Sequence, residues 1–159
     1  MVRKARSGLT IGLISDTHGL LRPEAIRALS GVQHIIHGGD IGGPGILEQL
    51  RAIAPVQAVR GNNDKDMWAA NIPLRLALRF EGVGIHVLHD LKEMDVEPVA
   101  AGFQVVVAGH SHRPAVTQRD GVLFVNPGSA GPRRFSLPVA VGLLDVADGM
   151  ARARILQIL

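Results

Sequence analysis

Three apolar runs in the first 64 residues end in the same way, and that recurrence limits what the chain can fold into. Leu9-Thr10-Ile11-Gly12-Leu13-Ile14 runs into Ser15-Asp16-Thr17-His18-Gly19. His34-Ile35-Ile36-His37 runs into Gly38-Gly39-Asp40, and Val56-Gln57-Ala58-Val59 into Arg60-Gly61-Asn62-Asn63-Asp64. Short apolar runs bounded by turn signals suit buried strands. Between them, residues 22–29 read as a short helix with Pro23 near its first position. Pro44 starts a second helix, where Ile46, Leu47, Leu50, Ile53 and Ala54 form one apolar stripe. A β-α-β-α-β order implies parallel strands joined by right-handed crossovers. Parallel strands then place the three polar turns along one edge, the carboxyl edge where open α/β sheets bind ligands.

The second half reads differently. Residues 74–80 and 85–89 predict a hairpin around Gly82-Val83-Gly84, and residues 94–101 a short helix interrupted by Pro98. Residues 104–109 form an apolar, β-branched strand that ends in His110-Ser111-His112-Arg113-Pro114. Residues 115–119 and 122–126 predict a second hairpin, whose Asp120-Gly121 turn suits type I′. Residues 139–145 and 151–156 predict a third. The expected fold is α/β: two mixed sheets packed face to face with helices outside, a four-layer αββα sandwich. Residues 1–8 read as a flexible leader, and 9–159 as a single domain without repeat or linker.

At 159 residues, with 47% apolar side chains, the chain can bury a core and is not disordered. No segment is long and apolar enough to span a membrane, and the basic start lacks a cleavage signal, so the cytoplasm is the expected location. Cysteine is absent, which excludes disulfides and thiolate ligands and leaves the redox compartment open. The net charge of +3 is scattered, with clusters only in the leader and at Arg133-Arg134. Aromatics are 3% with no Tyr, so no stacking platform for single strands is evident. Both features argue against a nucleic-acid partner and against a nuclease. A homo-oligomer is compatible with the sequence.

Collected in order, the polar residues at strand ends are Asp16, His18, Asp40, Asn62, His89, His110 and His112. Two carboxylates, an amide and four imidazoles can satisfy two adjacent divalent ions. Ions about 3.5–4 Å apart, bridged by a carboxylate and a hydroxide, clamp a phosphoryl group and lower the pKa of bound water. Mixed N/O ligation suits Mn, Fe, Zn or Co and argues against a calcium cage.

Asp16-x-His18, Gly39-Asp40, Gly61-Asn62-x-Asp64, His89 and Gly109-His110-x-His112 occur in the order found in the calcineurin-like metallophosphoesterases, and the chain resembles that superfamily. Its small size, Gly109-His110-Ser111-His112-Arg113-Pro114 and Asn126-Pro127-Gly128-Ser129 resemble the compact bacterial and archaeal phosphodiesterase branch, which has the Vps29-like fold. The resemblance implies a hydrolase acting on a small phosphoester, most simply a phosphodiester, by attack of a hydroxide bridging two metals. It implies one metal on Asp16, His18, Asp40 and His112, and a second on Asp40, Asn62, His89 and His110, with Asp40 the bridge. Manganese heads the implied metals, followed by Fe, Zn, Ni, Co and Mg. Asp40, Asn62, Asn63 and His110 are the implied catalytic group; Asn62, Asn63 and Arg113 are the implied substrate contacts. The fold also permits a non-catalytic interaction scaffold of the Vps29 kind. Two positions depart from the family pattern. Asn63 stands where many family phosphatases have a His, and an amide cannot donate a proton as imidazolium does. Asp90 stands where a Gly often follows the His, as a support for an imidazole or a loop carboxylate.

Other polar residues have simpler readings. Asp64 reads as a cap or a supporting group. His86 alternates away from His89. His34 and His37 read as structural, with His37 within reach of Asp40. Asn126 to Ser129 reads as a turn near the site. Arg113 and Arg133 are candidate phosphate contacts, and Met67 and Trp68 read as core or oligomer contacts.

Overall fold

A computed structural model of the chain describes residues 8–159, so all of the expected leader except Gly8 lies outside it. The first half forms β1 (Leu9–Ile14), α1 (Pro23–Ala28), β2 (His34–His37), α2 (Pro44–Arg51) and β3 (Val56–Ala58). β1 pairs in parallel with β2, and β2 with β3. Pro at the first turn of each helix fixes φ where no N–H is needed. The predicted stripe of α2 buries Ile46, Leu47 and Leu50 in a cluster with Ile14, Leu29 and Ile35. That cluster holds both helices on the outer face of the first sheet.

The second half contributes β4 (Arg75–Phe80), β5 (Val83–Leu88), β6 (Val105–Val107), β7 (Ala115–Arg119), β8 (Val122–Asn126), β9 (Ala140–Ala147) and β10 (Met150–Gln157). Two five-stranded sheets result, in the orders β10-β9-β1-β2-β3 and β4-β5-β6-β8-β7. Both are mixed. β9 runs antiparallel to β1, so the last hairpin completes the first sheet. Ile11, Leu13 and Ile36 from the first sheet meet Ile85, Val87, Val105 and Val107 from the second, forming the core between them. The Asp120-Gly121 turn has φ of 53° and 79°, both positive as type I′ requires.

The expected helix over 94–101 is absent. A 3-10 turn forms earlier, at Leu91–Glu93, where the Asp90 side chain accepts from Lys92 N–H. Residues 97–102 then make one helical turn, capped at the start by Glu97 Oε2 on Ala100 N–H. Gly102, at φ 85°, closes it. The turn starts at Pro98, which cannot continue a helix from residue 94, and stops four residues later at the glycine. The outer layer over the second sheet is therefore thinner than the α1–α2 layer over the first.

Candidate metal centre

The carboxyl ends of β1, β2, β3, β5 and β6 meet at one edge of the sandwich. The loop after β1 lies along the loop after β2: Asp16 N–H donates to Gly39 O, His18 N–H to Asp40 O and Gly19 N–H to Ile41 O, each at 2.9 Å. The β6 loop crosses from the other sheet, where His110 N–H donates to Asp16 Oδ2 at 3.1 Å. This closure needs a glycine at 109, because a Cβ there would collide with Ser15 Oγ and approach Asp16 Oδ2 at 2.6 Å. Gly61 is constrained in the same way, because a Cβ there would strike Asp40.

Two groups of ligand-type side chains lie side by side at this edge. Asp16, His18 and His112 form one, and Asp40, His89 and His110 the other; within each, candidate ligand atoms lie within 4.8 Å of one another. The groups touch. Asp40 Oδ2 is 3.8 Å from His18 Nε2 and 3.3 Å from His89 Nε2, so its carboxylate faces both. His110 Nδ1 is 3.3 Å from His89 Nε2. Of nine non-glycine residues with positive φ among the described residues, five belong to these groups: Asp16, His18, Asp40, His110 and His112. Left-handed backbone is sterically costly outside glycine, and Asp and His are among the residues that tolerate it. Here it turns the side chains into the space between the loops, and such outliers cluster at functional sites.

The hydrogen bonds hold these residues by one edge and leave the other bare. Asp16 Oδ2 accepts from Ser15 Oγ–H at 2.7 Å and from His110 N–H, while its buried Oδ1 has no hydrogen-bond partner. His18 Nε2 also lacks one, and His112 turns its Nε2 to 3.4 Å from Asp16 Oδ1. His89 Nδ1–H donates to Gly38 O at 2.7 Å, which turns Nε2 toward Asp40. An imidazole braced on a backbone carbonyl is the usual arrangement behind a metal ligand. Carboxylate oxygens and imidazole nitrogens that converge, with Asp16 Oδ1 and His18 Nε2 left unpartnered, fit a divalent cation and disfavour a neutral occupant.

Electrostatics follow the same arrangement. Burial opposes ionising Asp40, but His89 and the Asn63 amides outweigh it and hold the carboxyl below its ordinary range. Burial likewise opposes the charge on Asp16, and His112, Ser15 and His89 together bring its pKa down. Burial would lower His89, but Asp40 and the Gly38 carbonyl raise it to about 9.

Not every expected residue faces this space. Asn62 is exposed and lines a 190 Å³ cavity with His89 and His110. Asn63 contacts Asp40 itself: its N–H donates to Oδ1 at 2.9 Å and Nδ2 to Oδ2 at 3.0 Å. Arg113 is exposed, on a neighbouring cleft that His110 also lines. Asp90 Oδ2 lies 3.7 Å from His110 Nε2, so Asp90 both caps the 3-10 turn and stands beside the imidazole. Asp64 is buried and accepts from Ile41, Gly42 and Gly61 N–H, tying the loop after β3 to the loop after β2. Asn126 Nδ2 donates to Gly109 O and Ser111 Oγ, fixing the β6 loop from β8. Trp68 is half-buried against the α2 cluster, and Met67 is exposed.

Two residues that sequence reasoning passed over are Ser15 and Thr17. Thr17 Oγ–H donates to Ile41 O at 2.7 Å, so its oxygen accepts from His37 Nε2–H at 3.0 Å. His37 Nδ1 then accepts from Gly39 N–H, which makes the fully buried ring neutral. Burial outweighs the surrounding carboxylates and lowers this imidazole to about 4. The available signal was hydroxyls flanking Asp16 at the end of a buried strand.

Residues 9–149 match the sequence profile of the calcineurin-like phosphoesterase superfamily domain. The chain belongs to that superfamily. It is 31% identical over 142 residues to a probable metallophosphoesterase of Methanothermobacter thermautotrophicus, covering 82% of each chain. It is 29% identical over 155 residues to the phosphodiesterase YfcE of Escherichia coli K12, covering 82% of this chain and 84% of that one. The fold is also that of Chaetomium thermophilum Vps29, at a TM-score of 0.77 and 22% identity, covering 93% of this chain and 96% of that one. No helix among the described residues is long and apolar enough to cross a membrane.

Proposed function

We propose that this chain is a divalent-metal-dependent phosphodiesterase acting on small organic phosphoesters, with manganese as its working metal. The observation that carries this reading is the pair of adjoining Asp/His groups whose bare atoms, Asp16 Oδ1 and His18 Nε2 among them, converge at one sheet edge. A pair of divalent cations held there supplies a water that ionises near neutral pH and positive charge for the phosphoryl oxygens. Asp16, His18 and His112 would hold one ion, and Asn62, His89 and His110 the other. Asp40, facing both groups, would bridge them. Asn63 orients the Asp40 carboxylate through two hydrogen bonds. Arg113, on the same loop as His110 and His112, would draw the phosphate oxygens toward the centre. The family's usual imidazole is missing at position 63, so no strong proton donor stands there for the leaving group. A substrate whose leaving group departs readily, as from an activated diester, fits that lack.

The test is hydrolysis of bis(p-nitrophenyl) phosphate by purified protein with Mn²⁺, alongside Asp40→Ala. The reading expects turnover that Asp40→Ala abolishes. Failure with several divalent metals, together with no bound metal, overturns it. Bound metal without turnover would favour the scaffold reading that the likeness to Vps29 supports.

A further inference from the structure

His110 forms part of one wall of a second concavity, a cleft of 680 Å³ running from the metal centre onto the outer face of β6 and β8. Its floor is apolar. Val106, Ala108 and Phe124 line it, all members of the outward-facing cluster that also holds Leu88 and Val122. This is the face over which the outer layer is thin. Leu91 on one side, and Phe135 and Leu137 on another, raise the walls. Leu91 is 39% exposed and Phe135 88% exposed. Phe135 also has φ 55°, where a bulky aromatic is a genuine outlier. Two of the chain's four phenylalanines thus line one cleft, one of them exposed and in costly backbone.

The charges around the cleft have a sign. Lys92, Arg113 and Arg134 line it against the single carboxylate of Asp90. An apolar floor within a cationic rim, opening at His110, suits an anion that carries a flat apolar arm. The size falls in the range of about 300–1,000 Å³ typical of small-molecule sites.

We propose that this cleft receives the ester arm that stays on phosphorus, so that the enzyme selects phosphodiesters whose retained arm bears an aromatic ring. The proposal rests on the phosphodiesterase reading and adds its substrate class. A phosphomonoester has no arm to place there, and a dialkyl diester leaves the apolar walls uncovered.

Two diesters with the same leaving group isolate the arm: p-nitrophenyl phenyl phosphate and p-nitrophenyl methyl phosphate. The Mn²⁺-loaded wild type is expected to prefer the phenyl diester in kcat/KM by about tenfold, as covering part of one ring implies. Phe135→Ala should bring that ratio toward one by lowering kcat/KM for the phenyl diester far more than for the methyl diester. Diphenylphosphinate, a non-hydrolysable probe, should bind Phe135→Ala about tenfold more weakly than wild type, with dimethylphosphinate unaffected. Turnover of both diesters with no phenyl preference, or a preference untouched by Phe135→Ala, overturns the proposal while the phosphodiesterase reading stands. Turnover of neither overturns both. If Phe135→Ala changes only self-association, the face belongs to a second copy of the chain and the proposal fails.

Discussion

Asp64→Ala should destabilise the protein by about 3–6 kcal/mol, although Asp64 is not among the proposed metal ligands. Its carboxylate is 3% exposed and accepts from three backbone donors: Ile41 N–H at 3.0 and 3.1 Å, Gly42 N–H at 3.1 Å and Gly61 N–H at 3.0 Å. Alanine removes every acceptor and leaves three amides unpaired at a buried junction. Each unsatisfied buried donor costs about 1–3 kcal/mol, and water entering the space left by the carboxylate reduces the sum. Asp64→Asn keeps one oxygen but points an NH₂ at an N–H, and should cost about 2–4 kcal/mol. The same bonds hold the loops that carry Asp40 and Asn62, so activity should fall in parallel. Urea unfolding followed by circular dichroism measures the change, with exposed Asp66→Ala as the control, expected within about 0.5 kcal/mol of wild type. If Asp64→Ala is as stable as Asp66→Ala, the carboxylate does not hold the loops together.

His37 makes a pH prediction. Its folded pKa of about 4 lies below the ordinary 6.5, so the unfolded chain takes up a proton first. Its neutral burial therefore contributes fully above pH 6.5 and is lost as pH falls toward 4, about 2–3 kcal/mol between pH 7.5 and 4.5. His37→Gln should show a shallower stability loss over that range by urea unfolding, and an equal slope would contradict the assignment. Gly109→Ala should push the β6 loop off Ser15 and Asp16 and lower bound metal per chain, which elemental analysis of dialysed protein measures; unchanged metal content would refute the close approach. Asn63→His introduces a proton donor beside Asp40 and should raise the ratio of p-nitrophenyl phosphate to bis(p-nitrophenyl) phosphate hydrolysis by about tenfold or more; an unchanged ratio would show that position 63 does not reach the leaving group.

The first-half order was legible because α2 presents its stripe at helical spacing and the three parallel strands are short apolar runs that end in glycine and polar residues. Six ligand-type residues that gather at this edge, Asp16, His18, Asp40, His89, His110 and His112, were picked out for the same reason, each just past a strand end, while Asn62, also past one, is exposed beside them. The left-handed backbone at Asp16, His18, Asp40, His110 and His112 was not, because sequence marks that conformation chiefly through glycine. The helix expected at 94–101 failed because Pro98 and Gly102 allow only one turn between them. The role of Asp64 depends on backbone amides more than twenty residues away, at Ile41 and Gly42, which no local pattern encodes. The aromatic-lined cleft draws Leu91, Phe124 and Phe135 from distant segments, and only the folded sheet brings them to one face.

If the proposed centre forms, two cations sit side by side with Asp40 between them. Anomalous diffraction from crystals grown with Mn²⁺, recorded on both sides of the manganese edge, would locate them. Two peaks are expected about 3.5–4 Å apart, one at Asp16, His18 and His112 and the other at His89, His110 and Asn62, with the Asp40 carboxylate touching both. A single peak, or peaks away from this edge, would contradict the proposed centre.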